Sequence, residues 1–197
     1  MWTMPALRVA AALLSVLALG ACANSAVPPA LSEITFEHLG SFQLDVAQIE
    51  VLDEYVPPFK PPYVEHIFTT SPATVAARWG RDRLKAVGTS RKARFIVRDA
   101  SVAKTLLEIE DGLEGALTTD QSERYQARLS VVIDIVSEER GREAYVEASA
   151  VRVRSVPEDA TLNERQRLFH AMTEGLMADL NAALERNILE HLNKYVR

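Results

Sequence analysis

Tyr125-Gln126-Ala127-Arg128-Leu129-Ser130-Val131-Val132-Ile133-Asp134-Ile135-Val136 is the stretch on which the fold turns. Tyr125, Ala127, Leu129, Val131, Ile133 and Ile135 share one face, while Arg124, Gln126, Arg128, Ser130 and Asp134 share the other. A period of two with one apolar side is the mark of a strand that buries a single face. Glu138-Glu139-Arg140-Gly141 then makes a polar turn, and Glu143 to Val156 places Ala144, Val146, Ala148 and Ala150 on one side. Strand, short turn and strand in this order predict an antiparallel hairpin.

Working back from the hairpin, Ala93-Arg94-Phe95-Ile96-Val97-Arg98 reads as a strand that resumes after Asp99 through Val102 and Leu106 to Ile109. Before it, Ser71-Pro72 opens a helix, since serine caps free N–H groups and proline suits the first helical position. That helix carries Val75, Ala76, Trp79, Leu84 and Val87 and is stopped by Gly88. Nearer the start, Phe42, Leu44 and Val46 alternate with polar residues, while Ile49 and Val51 fall on the opposite phase. A bulge near Ala47 or Gln48 would account for that change.

Forward of the hairpin, Pro157 ends the strand and Thr161-Leu162-Asn163-Glu164 has the spacing of a capping box. A long helix follows toward Lys194, with a stripe of Phe169, Met172, Leu176, Leu180, Leu184 and Ile188. Gly175 inside it costs roughly 1 kcal/mol relative to alanine. The expected fold class is therefore α+β. It has two layers, a four-stranded, mostly antiparallel sheet with two helices on one face, in the order β-α-β-β-β-α with a long C-terminal helix. One partly polar face on each strand suits a sheet covered on one side only.

The start of the chain carries a different kind of signal. Met1 to Arg8 holds one positive charge, Val9 to Leu19 is apolar, and Leu19-Gly20-Ala21-Cys22 closes the run. This is the plan of an export signal, too short for the roughly 20 apolar residues of a membrane span. Its end resembles the lipobox of bacterial lipoproteins, and Cys22 is the chain's one cysteine. That resemblance implies an acylated Cys22 as the new first residue, with the lipid bilayer as a partner. Residues 1–21 would be a signal peptide, 22–40 a lipidated N-terminus and tether, and 41–197 a single α+β domain. Ala23 rather than an acidic residue implies sorting to the outer membrane, with the body facing the periplasm. The lipobox together with the element order resembles small envelope lipoproteins of Gram-negative bacteria, namely the lipopolysaccharide-assembly lipoprotein and the auxiliary lipoproteins of ABC-type lipid transport. The resemblance implies a non-enzymatic helper that binds a membrane protein or a lipid.

The body offers little for catalysis. Lys and Arg number 22 against 27 Asp and Glu, for a net charge of −5, and removal of residues 1–21 takes away only Arg8. That balance argues against nucleic acid as a partner. His38, His66, His170 and His191 have no metal-ligand spacing, and no Gly-x-Ser-x-Gly or phosphate loop occurs. No enzyme and no cofactor are expected.

Two binding features remain. Tyr55-Val56-Pro57-Pro58-Phe59-Lys60-Pro61-Pro62-Tyr63 is held extended by four prolines and repeats an aromatic every four residues, so Tyr55, Phe59 and Tyr63 are candidate partner contacts. Equally, the rings could pin a crossover to the body. Arg91, Lys92, Arg94 and Arg98 form a basic group that could receive an anionic group such as a lipid headgroup, or could pair with acids elsewhere. The acidic connection from Glu108 to Glu123 reads as a solvated hairpin tip or a docking surface for a basic partner. The favoured function is an interaction or scaffold subunit of a membrane-associated assembly, with an envelope membrane protein as partner. The alternative is an auxiliary of lipid or lipopolysaccharide transport, binding a lipid or a transporter.

Overall fold

The structure, a computed structural model, describes residues 31–107 and 121–197. Its elements are β1 (Phe42–Leu44), β2 (Gln48–Asp53), α1 (Pro72–Arg83), β3 (Leu84–Ala86), β4 (Lys92–Asp99), β5 (Val102–Leu106), β6 (Gln121–Ser137), β7 (Gly141–Pro157) and α2 (Leu162–His191). β6 is the axis. β7 pairs antiparallel with it from one end to the other. Along the opposite edge β4 takes the half from Ser130 to Val136, and β5 takes the half from Glu123 to Ala127. β2 lies outside β4 and runs parallel to it.

The hairpin expected from the sequence is present and longer than expected, at 17 residues in each arm. The expected four-stranded, mostly antiparallel sheet in the order β-α-β-β-β-α is not what forms. The described residues build a five-stranded mixed sheet and a separate two-stranded sheet, with two α-helices. Three local causes account for the difference. The phase change after Val46 marks a change of sheet, not a bulge within one strand: β1 pairs with β3, and β2 pairs with β4. Leu84 to Ala86, which continue the helical spacing, leave the helix to become β3, because they pair with Phe42 to Leu44. Finally, Asp99 accepts a hydrogen bond from the Ser101 amide at 2.9 Å, and the register shifts there, so one expected strand becomes β4 and β5.

Both helices cover the same face of the sheet. Tyr125, Ala127, Leu129, Val131, Ile133 and Ile135 of β6 join Trp79 of α1 and Phe169, Met172, Leu176, Leu180, Leu184 and Ile188 of α2 in one core. Phe169 stacks on Phe68 at 4.2 Å and meets Tyr125 edge-on at 4.9 Å. Trp79 stacks on Phe95 at 5.5 Å. Ile34 and Phe36, upstream of β1, are buried in the same core.

The two helices are joined by polar contacts that are mostly out of water. Asn181 Oδ1 accepts from Trp79 Nε1 at 2.7 Å and from Arg83 at 2.9 Å, and Arg83 also reaches Glu185 at 2.9 Å. The buried Arg83 guanidinium lies over the rings of Phe42 and Trp79. At the start of α2 the capping box forms as its spacing predicts, with Thr161 accepting from the Glu164 amide and Glu164 accepting from the Thr161 amide. Ser71 makes no side-chain cap on α1, whose first turn closes instead through its carbonyl to the Val75 amide.

Two glycines set how closely the layers approach. A β-carbon on Gly80 would lie 2.9 Å from the Phe95 ring and 3.2 Å from Val51, both packed in or against the core. One on Gly175 would come nearest to the guanidinium of Arg152, which crosses α2 at that point to reach Asp179 at 2.6 Å. The same substitution therefore has different consequences. Gly80→Ala should lower the unfolding free energy by about 1–3 kcal/mol, the usual cost of overpacking. Gly175→Ala should change it by less than about 1 kcal/mol, because the arginine can move and alanine favours the helix. Urea unfolding of the two variants side by side checks both expectations.

Candidate functional site

The Pro-rich segment occupies the edge of the sheet left open beyond β2. The last backbone bond between β2 and β4 runs from the Glu54 amide to the Val97 carbonyl at 3.0 Å. The chain then leaves the sheet, because prolines at 57, 58, 61 and 62 offer no donors. It returns at Pro62 to Val64, where the Pro62 carbonyl accepts from the Lys104 amide at 2.8 Å and the Val64 amide donates to the Val102 carbonyl at 2.8 Å. Tyr63 and Ala103 form an isolated antiparallel bridge at the same place.

Between its two attachments the segment is clipped by Glu65. This carboxylate is buried, accepts from the Tyr55 hydroxyl at 2.9 Å, and accepts from the Val102 amide at 3.3 Å. Burial, reinforced by the hydrogen bond to Glu65, raises the Tyr55 phenol above its ordinary range, so it remains a donor across the physiological range.

The clip shapes a cavity of about 380 Å³ over the break between β4 and β5. Tyr55 and Tyr63 line it together with Pro58, Asp99, Gln126 and Arg128. Phe59 is not among its lining residues. Its side chain is 69% exposed, 5.8 Å from the His66 ring, on a backbone with φ of 52°. A bulky residue in left-handed conformation with its ring in water is costly on both counts, and such strain gathers at binding sites. The structure thus brings two of the three aromatic candidates together and presents the third by itself.

The basic group lies elsewhere, around a cleft of about 730 Å³ at the β6–β7 turn. Arg91, Lys92 and Arg94 line it, and Arg98 does not. Every one of the four has a carboxylate partner. Arg91 donates to Glu143 at 3.0 Å, has Asp45 at 3.7 Å, and lies over the Tyr195 ring. Lys92 meets Glu50 at 2.6 Å, and Arg98 pairs with Glu54. Arg94 grips Asp134 with two bonds, at 2.9 and 2.6 Å, while Arg142 approaches the same carboxylate at 3.3 Å. Asp134 has no exposed surface although it lies on the face that the helices leave bare, because these guanidiniums cover it. An anion entering this cleft would have to compete with carboxylates already in place.

The acidic connection from Glu108 to Glu123 falls largely outside the described residues, as does Cys22. Its last member is well placed. Glu123 accepts from Arg165 of α2, from Tyr125 at 2.9 Å and from Lys104 of β5 at 3.1 Å. Burial acts to raise its pKa, yet these hydrogen bonds outweigh it and hold the carboxyl at about 2. Among the described residues no three His, Cys, Asp or Glu stand close enough to hold a metal ion, and no helix is long and apolar enough to cross a membrane. The residues that sequence reading missed here are Glu65 and Asp134. Asp134 lies 40 positions from Arg94, and Glu65 lies 10 from Tyr55 and 37 from Val102, so no spacing rule could have picked either out.

No protein-family model and no curated protein matches the chain. Among solved structures it is similar to rare lipoprotein B from Shewanella oneidensis, at 11% identity and a TM-score of 0.36 over 71% of this chain and 92% of that one. It is also similar to a minor lipoprotein from Acinetobacter baumannii, at 16% identity and a TM-score of 0.37 over 74% of this chain and 92% of that one. Overlaps of this size assign no role, and the functional reading rests on the chain's own residues.

Two predictions follow from this geometry. Glu65→Ala leaves the Val102 amide and the Tyr55 hydroxyl without an acceptor, so stability should fall by about 1–3 kcal/mol. The freed segment should also be cut by chymotrypsin after Phe59 faster than in the parent protein. For Glu123 the folded pKa lies below the unfolded value of about 4.3, so its stabilisation is complete above that value and is lost as pH falls toward 2. Glu123→Gln should therefore flatten the fall in unfolding free energy between about pH 5 and pH 2, as followed by denaturant titration.

Proposed function

We propose that this chain is a non-enzymatic lipoprotein of the cell envelope, anchored through acylated Cys22, whose body holds a membrane protein partner through the Pro-rich segment. The observation that carries the reading is Phe59, a ring held in water on left-handed backbone by a segment fixed at both ends. An exposed aromatic that is already ordered loses little entropy when a partner covers it, which is what an interface anchor requires. Tyr55 and Tyr63, on the wall of the adjoining cavity, would extend the contact. An anchor at the outer membrane, with the body in the periplasm, would bring that surface within reach of other envelope proteins. Acylation of Cys22 with several chains would hold the body firmly, at about 0.8 kcal/mol per buried methylene.

The alternative is an auxiliary role in lipid or lipopolysaccharide transport. The cleft beside Arg91, Lys92 and Arg94 supports it to the extent that an anionic headgroup could exchange with Glu50 and Glu143.

A photo-crosslinking phenylalanine analogue at position 59, expressed in cells in the full chain, separates the two. A single crosslinked membrane protein is expected, with Phe59→Ser abolishing its capture while shifting the unfolding midpoint by less than a degree or two. Capture of the same protein by the Phe59→Ser variant would remove the segment from the interface. Crosslinks to phospholipid or glycolipid alone would favour the transport role. Cys22→Ser should release the body from membranes and abolish palmitate labelling, and persistent labelling would refute the anchor.

A further inference from the structure

β7 has a free edge. It is hydrogen-bonded along one side to β6, and no strand among the described residues lies on its other side. Two contacts establish which of its backbone groups face outward. Asn187 of α2 donates to the Glu147 carbonyl at 2.7 Å, so that carbonyl points away from β6. The Arg128 amide, opposite Val151, is turned toward β5 and donates to the Ser101 carbonyl at 2.8 Å, so Arg128 and Val151 are not a hydrogen-bonded pair. In an antiparallel ladder the two kinds of pair alternate. Ser149, Val151, Val153 and Ser155 therefore all direct their N–H and C=O groups outward. Beyond Glu147, where Asn187 covers the edge, the outward carbonyl of Val153 receives only the guanidinium of its own neighbour Arg154.

The face beside this edge has a matching chemistry. Val151 and Val153 are 49% and 42% exposed and stand two residues apart on the side of the sheet that the helices leave bare. In the next strand Arg128 lies directly opposite Val151, and Arg124 directly opposite Ser155. Neither guanidinium has a carboxylate at ion-pair distance among the described residues, whereas Arg94, Arg142, Lys104 and Arg165 around them all do. An arginine side chain is long enough to reach over the strand beside it to the one beyond. A long unpaired edge flanked by exposed valines is a template for strand addition. Two guanidiniums without an ion-pair partner among the described residues specify the charge of what is added.

We propose that Ser149 to Ser155 of β7 is a strand-addition site for an extended acidic segment of a partner polypeptide, bound through backbone hydrogen bonds, with its carboxylates on Arg124 and Arg128. This goes beyond the reading of the Pro-rich segment and needs neither Phe59 nor Cys22; Arg128, which also lines the cavity beside Tyr55 and Tyr63, is the residue the two surfaces share, while Arg124 and the β7 backbone belong to this one alone.

The probe is a pair of synthetic peptides in which valine alternates with glutamate or with lysine, added to the full chain. The glutamate peptide should slow amide hydrogen exchange at Val151 and Val153 at least tenfold, with the lysine peptide without effect. Arg124→Ser with Arg128→Ser should abolish that protection. Val151→Pro should abolish it too while leaving unfolding little changed, because the lost N–H faces away from β6 and proline is tolerated on an edge. Equal protection by both peptides, or none at millimolar concentration, would overturn the proposal. Protection that grows with protein concentration in the absence of peptide would also overturn it, by assigning the edge to a second copy of this chain.

Discussion

Everything in this molecule depends on β6 being paired on both edges along its length. β7 satisfies one row of its backbone groups, and β4 and β5 divide the other row between them. A buried strand with an unpaired edge would leave polar groups without water or partners, each worth more than a typical net hydrogen bond. That constraint explains why the break at Asp99 to Ser101 does not end the sheet. β5 resumes on the same edge of β6, and the backbone accounting continues across the gap. It also explains the division of faces. With both edges occupied, the helices can only stack on a face, and they choose the one where Tyr125, Leu129, Val131, Ile133 and Ile135 project.

The bare face is held by charge rather than by packing. Asp134 is enclosed by Arg94 and Arg142, and Glu50, Glu54 and Glu143 each take a cation from a neighbouring element. The exposed pairs, Lys92 with Glu50 and Arg98 with Glu54, contribute little to stability singly, whereas Asp134 would be a costly buried charge without its guanidiniums. Their consequence is positional, since they consume the basic group that the sequence displays so prominently at 91–98. What these pairs do not use is left to the surfaces proposed for recognition: the rings of the Pro-rich segment, and the β7 edge with Arg124 and Arg128, which have no ion-pair partner among the described residues. A body with two such surfaces on a rigid sheet is suited to holding partners relative to one another.

The sheet axis, the hairpin and both helices could be read from residue patterns because their signals are local. Alternation along Tyr125 to Val136 and the Thr161 to Glu164 capping box refer only to near neighbours, and both are found where the pattern placed them. The number of strands could not be read in this way. Phe42 to Leu44 and Leu84 to Ala86 are three residues each, too short for a period to declare itself, and they are strands only because they find each other. At the candidate site the aromatic spacing was legible, while Glu65, the group that fixes Tyr55, was one acidic residue among many until folding buried it.

Residue patterns alone thus determined the long hairpin with its single apolar face and the two amphipathic helices that pack on it. Only the tertiary structure decided the five-stranded mixed sheet, the carboxylate partners of Arg91, Lys92, Arg94 and Arg98, and which edge stays open among the described residues. The physical reason is the range of the interactions concerned. Helix caps and strand alternation act over a few residues, but ion pairs across a sheet join groups far apart in the chain, 40 positions for Arg94 to Asp134 and 52 for Arg91 to Glu143.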